Sequence, residues 1–217
     1  MVLISVSTDV QSAKVTESLK QRHPDHVRFF AGIHPSEVRS GAEPEGLDGL
    51  LENADGVGEI GLDPKYSLVG NDSPQTRAFG RQLESAERLS KPVEVHSRGA
   101  VRQCLDRLST FKINSVLMHW LDDDELLGEV TSRGYFVSFG PALLFSKKLR
   151  RMALAHPMDL TLVESDGPVS FRGLGPEVRG SFLIPSVIFA LAEIRGMGTR
   201  EVARDVFGNT VRFLSGK

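Results

Sequence analysis

Cysteine is almost missing from this chain. Of 217 residues only Cys104 is a cysteine, so no disulfide can form within the chain, and a reducing compartment is the natural reading. An excess of positive charge is missing too: 26 Lys and Arg stand against 28 Asp and Glu, a formal net charge of −2. There is then no global basic field to hold a nucleic acid, and any such contact has to come from a local patch. No apolar run approaches the ~20 residues of a membrane span. Met1 to Val10 has no basic stretch ahead of its short apolar run, as a signal peptide would. These absences read as a cytoplasmic chain with no membrane partner and no evident obligate protein partner. Low-complexity tracts and linkers are lacking as well. What is left is an ordinary globular composition, 40% hydrophobic and 25% charged, with a length suited to a single domain over residues 1–217.

What the chain does have is a rhythm of short apolar runs, polar or glycine-rich turns and amphipathic stretches. The apolar and β-branched runs predict strands at 2–7, 27–33, 56–62, 92–96, 115–119, 135–139 and 160–164. The intervening periodicity predicts helices at 9–22, 45–53, 74–89, 100–108, 123–133, 146–155, about 182–195 and 200–207. In the third of these, Phe79, Leu83 and Ala86 recur at helical spacing. Strands alternating with helices imply parallel βαβ units of an α/β protein. Right-handed crossovers then allow either an open doubly wound sheet or a closed (β/α) barrel. A closed barrel usually has eight strands, so seven readable strands are one short.

Polar residues collect where the predicted strands end: His34, Glu59 with Asp63, His96 with Arg98, His119, and Glu164 with Asp166. In a barrel those ends form one rim, so separations of 20 to 40 residues do not prevent contact. Two histidines, a glutamate and an aspartate form a mixed nitrogen and oxygen ligand set that suits zinc, manganese or similar divalent ions. Taken singly, each residue has a plainer explanation. A histidine at a strand end is more often hydrogen-bonded than ligating, and Asp166 in Glu164-Ser165-Asp166-Gly167-Pro168 could be a turn or cap residue. Glu59 is the stronger signal: it lies between Gly58 and Ile60 in an apolar run, and an inward carboxylate needs a partner or a metal. His23, His26 and His156 lie near prolines and read as structural. Lys147, Lys148, Arg150 and Arg151 open a helix, where a charge run is either a solvated face or a phosphate contact.

Together these segments resemble the TatD family of metal-dependent hydrolases. The resemblance is carried by Gly32-Ile33-His34-Pro35, Gly58-Glu59-Ile60-Gly61-Leu62-Asp63, Val95-His96-Ser97-Arg98, Met118-His119-Trp120, Val137-Ser138-Phe139-Gly140 and Glu164-Ser165-Asp166-Gly167-Pro168. Gly208-Asn209-Thr210-Val211-Arg212 is similar to the family's closing helix. The resemblance implies a TIM barrel that binds two divalent metals, with zinc, magnesium and manganese not distinguished, and hydrolyses phosphodiesters as a deoxyribonuclease. It implies that Glu59 bridges the metals and that His96 and His119 hold one of them. Asp166 would hold the other and orient or deprotonate the attacking water. His34, and Arg98 with it, would contact a phosphate of the nucleic acid substrate, expected to be DNA.

One departure stands out against that family. Its members begin with a strand bearing a His-x-His pair, whereas here no histidine precedes His23. The expectation is an N-terminally incomplete barrel whose first strand is absent, with one metal retained more tightly than the other. Two other functions compete with the nuclease: a small-molecule amidohydrolase or esterase using a similar site, and a catalytically impaired remnant that binds nucleic acid or protein.

Overall fold

The chain's seven predicted strands all form. The structure, a computed structural model, describes residues 2–38, 46–171, 174–175, 177–178 and 180–216. In chain order the elements are β1 (Leu3–Val6), α1 (Val10–Arg22), β2 (Val27–Ala31), α2 (Leu47–Asn53), β3 (Gly56–Gly61), α3 (Pro74–Arg88), β4 (Val93–His96), α4 (Val101–Leu108), β5 (Val116–Met118), α5 (Leu127–Ser132), β6 (Phe136–Phe139), α6 (Lys147–Ala155), β7 (Thr161–Val163), α7 (Ile184–Arg195) and α8 (Thr199–Ser215). The helix expected from residue 45 begins at Leu47; residue 45 itself lies outside the described residues.

Two compact units divide the chain, one running to Met118 and including the end from Arg212, the other spanning His119–Val211. In the first unit, β1 to β5 pair in sequence order and all in parallel. Strand β3 is buried at every position, as expected of a parallel strand covered on both faces. Helix α3 starts at Ser73, whose hydroxyl accepts the Thr76 N–H, with Pro74 in the first turn. The core here includes Phe29, Phe30, Phe79, Leu83 and Leu105, and Phe30 packs on Phe213 with ring centroids 5.8 Å apart. In the second unit, β6 pairs in parallel with β7, and Phe139, Leu143, Leu162, Val187 and Leu191 are buried.

Two helices depart from their expected spans by four residues or more. Helix α5 starts at Leu127 rather than 123, because the Asp123 carboxylate accepts the Leu126 N–H and favours a local turn over a helical one. Helix α8 runs past Phe207 to Ser215. A Gly-Asn pair ordinarily invites a helix stop, but the Asn209 amide donates to the Met158 and Thr161 carbonyls, 2.7 and 2.8 Å away. Among the described residues, no single helix is long and apolar enough to cross a membrane.

Candidate metal centre

Glu59 is turned inward, as its apolar strand requires, and is only 8% exposed. Its Oε1 lies 2.8 Å from His96 Nδ1 and 3.6 Å from His34 Nε2. The two rings stand edge-on with centroids 4.5 Å apart. One ligand atom from each of His34, Glu59 and His96 can be chosen so that all three lie within 4.8 Å of one another. Two imidazoles and a carboxylate at that separation match the donor chemistry of zinc and related ions.

Several side chains hold this cluster in place. His96 ends β4, and its Nε2 lies 2.9 Å from Asp63 Oδ2. Asp63 is fully buried; its other oxygen accepts the Lys65 N–H, and Oδ2 also pairs with Arg98 Nη2 at 2.6 Å. Burial works to raise the Asp63 pKa, but the hydrogen bonds from His96, Lys65 and Arg98 outweigh it and hold the carboxyl below its ordinary range. With both oxygens occupied, Asp63 holds the His96 ring with Nε2 toward itself and Nδ1 toward Glu59. The Asp63 peptide is itself clamped by Gln75, whose amide accepts from its N–H and donates to its carbonyl. Gln82 clamps the peptide of Ile33, next to His34, in the same manner. Tyr66 stands at the edge, half-exposed, 5.8 Å from the His34 ring and 5.5 Å from the Arg98 guanidinium.

Glycine is required at two places here. A Cβ on Gly32 would lie 2.6 Å from the Gly58 carbonyl carbon, and one on Gly61 would lie 1.9 Å from the His96 carbonyl oxygen, at a φ of +143°.

The second unit carries the remaining residues expected from the sequence. His119 follows directly on β5; its Nδ1 lies 2.7 Å from Glu164 Oε2 and its Nε2 lies 3.6 Å from Asp166 Oδ1. Asp166 has a φ of +46°, a left-handed conformation that aspartate tolerates better than most residues. The Ser138 hydroxyl, on β6, donates to the same Glu164 oxygen, while Glu164 Oε1 is buried with no hydrogen-bond partner. The structure thus brings Glu59 to His96 and His119 to Asp166, each pair within one unit. Of the basic run, Lys148 is engaged with Asp124 at 3.3 Å.

Sequence reasoning did not single out Gln75, Gln82 or Tyr66, and named Ser138 only within the matching segment Val137-Ser138-Phe139-Gly140. The glutamines were readable in one respect, since both fall on the stripe of α3 that carries Phe79, Leu83 and Ala86. Cys104 is not part of the chemistry: it is fully buried, and burial pushes its thiol pKa up.

A family model described as TatD related DNase matches residues 1–215. The Escherichia coli K12 protein described as the uncharacterized metal-dependent hydrolase YcfH is 30% identical over 201 residues, covering 88% of this chain and 74% of its own length. Human deoxyribonuclease TATDN3 is 27% identical over 236 residues, which covers 99% of this chain and 84% of that protein. The crystal structure of YJJV, a TatD homologue from Escherichia coli K12, matches with a TM-score of 0.79 at 22% identity, covering 98% of this chain and 85% of that one. That likeness shows the fold: an α/β, TIM-barrel-type chain of parallel strands each followed by a helix.

Proposed function

Since this chain belongs to the TatD related DNase family, a family of metal-dependent hydrolases, we propose that it hydrolyses phosphodiester bonds and that its substrate is DNA. The observation that carries the reading is the buried Glu59 carboxylate flanked by the His96 and His34 rings at 2.8 and 3.6 Å. A buried carboxylate between imidazoles has little use in stabilising a fold and a clear one in holding a cation.

Glu59 and His96 in the first unit, and His119 and Asp166 in the second, are proposed as metal ligands. A bound divalent cation would supply Lewis acidity toward the scissile phosphate and the water that attacks it. The protein's own groups divide the remaining tasks. His34 caps the short 3-10 turn Pro35–Glu37 by accepting the Ser36 N–H at Nδ1, 3.1 Å away. Ser36 Oγ also lies 2.7 Å from that nitrogen, so Nε2, 3.6 Å from Glu59, is the one proposed to meet a phosphate oxygen. Arg98 gives one donor to Asp63, and with its side chain 44% exposed it keeps others for a second phosphate oxygen. Asp166, with an oxygen facing His119, accepts the proton of the attacking water.

The test uses the purified chain stripped with chelator and then supplied separately with zinc, magnesium or manganese. Hydrolysis of an activated phosphodiester and of DNA oligonucleotides should appear only on adding metal, weaken as salt rises, and vanish in Glu59→Gln. Turnover of an activated carboxylic ester or amide without phosphodiester turnover would overturn the nuclease reading in favour of a small-molecule hydrolase. Activity that survives chelation would overturn the metal-dependent mechanism.

A further inference from the structure

His119 is held by a ring of hydrogen bonds that starts and ends on itself. The N–H of Trp120, the next residue, points to Ser138 Oγ at 3.4 Å; the Ser138 hydroxyl donates to Glu164 Oε2; and that oxygen lies 2.7 Å from His119 Nδ1. An ionised carboxylate only accepts, so the bond to Glu164 requires a proton on His119 Nδ1. Nε2 is then the nitrogen presented toward Asp166, 3.6 Å away. We propose that Glu164 and Ser138 are positioning residues that lock the His119 imidazole in the Nδ1–H form and fix its angle toward Asp166.

Four further observations support this assignment. The β6–β7 ladder sets both residues: Ser138 is in register with Leu162, and the Glu164 N–H donates to the Phe139 carbonyl at 3.1 Å. Ser138 thus sits on β6 and Glu164 directly after β7, its backbone still bonded to β6, so both are held by the sheet rather than by a free loop. Gly140 leaves room for the carboxylate, since a Cβ there would lie 3.1 Å from Glu164 Cγ and 3.2 Å from Oε1. Glu164 Oε1 is buried without a partner; a carboxylate selected for stability alone would not leave one oxygen unsatisfied. Trp120 itself has a φ of +38°, an uncommon conformation for a bulky residue, and the bond from its N–H to Ser138 ties that bend to the same carboxylate.

The inference rests on the proposed role of His119 as a metal ligand, and the experiment separates the two. In the metal-free chain at about pH 8, above the ordinary imidazole pKa, long-range proton–nitrogen correlation reads the protonated nitrogen of each of the six histidines, with His119 identified by its loss in His119→Gln. The wild type should show His119 as Nδ1–H. Glu164→Ala and the nearly isosteric Ser138→Ala should move it toward Nε2–H, and Ser138→Thr, which keeps the hydroxyl, should restore Nδ1–H. Zinc affinity, measured by competition with a chelating dye, should fall about 10- to 100-fold in Glu164→Ala. An Nε2–H form in the wild type, or an unchanged tautomer in both Glu164→Ala and Ser138→Ala, would overturn the positioning role. Unchanged zinc binding in His119→Ala would instead overturn the ligand reading, while the tautomer result would stand by itself.

Discussion

Among single residues, His156 shows how burial alone sets a histidine's behaviour. Only 1% exposed, it accepts from or donates to Thr131 Oγ1 at Nδ1, 3.0 Å away, and its Nε2 faces the Leu160 carbonyl at 3.2 Å. Burial drives its pKa down to about 4, with Arg195 acting in the same direction, and together they outweigh the Leu160 carbonyl and Asp159. The folded state therefore keeps this ring neutral where the unfolded chain, near its ordinary value of about 6.5, already binds a proton. Stability contributed by the neutral ring is complete above about pH 6.5 and is lost as pH falls toward 4. Over that window the loss is on the order of 3 kcal/mol. Thermal melts from pH 7 to 4 should show a fall for the wild type that is shallower in His156→Leu; parallel pH profiles would contradict it. The sequence placed His156 correctly among the structural histidines, but its partners Thr131 and Leu160 were not legible, because they lie on other elements. The same limit explains Asp63. Its position beside Gly61-Leu62 was readable, while its three donors meet only in the folded chain.

At the scale of elements, the close crossing of β3 and β4 makes the sharpest demand on sequence. Gly61 meets the His96 carbonyl so closely that an added Cβ would lie 1.9 Å from its oxygen. Gly61→Ala should destabilise the chain by more than about 3 kcal/mol and weaken metal binding, since Glu59 and His96 sit on the two strands that would be forced apart. Gly49, exposed in α2, is the control, because a Cβ added there would meet nothing within 4 Å. Gly49→Ala should stabilise by about 0.5–1 kcal/mol. Denaturant unfolding of both variants checks the pair, and equal effects would refute the argument. Strands were legible from apolar runs because parallel strands are buried on both faces. Helix ends were less so. The late start of α5 depends on a side-chain bond from Leu126 to Asp123, and the extension of α8 on tertiary bonds made by Asn209.

For the whole molecule, a cation that binds only the folded chain must stabilise it by mass action. At a free metal concentration 100 times Kd the gain is about 2.7 kcal/mol, or roughly 5–10 °C in Tm for a domain near this size. Zinc should raise the melting temperature of the chelator-stripped chain by that amount, and His96→Ala or His119→Ala should diminish the rise. A melting temperature indifferent to metal would count against the ligand set. The α/β class, the seven strands and the residue types of the site were determined by sequence alone, because alternating apolar runs and strand-end polar groups are local features of a chain. Which atoms serve was decided only by tertiary structure. Nothing local distinguishes the two nitrogens of an imidazole; in the fold Asp63 meets Nε2 of His96, Glu59 its Nδ1, and Glu164 meets Nδ1 of His119. Residues 33 and 45 positions away in sequence reach those rings only once the strands that carry them are in place.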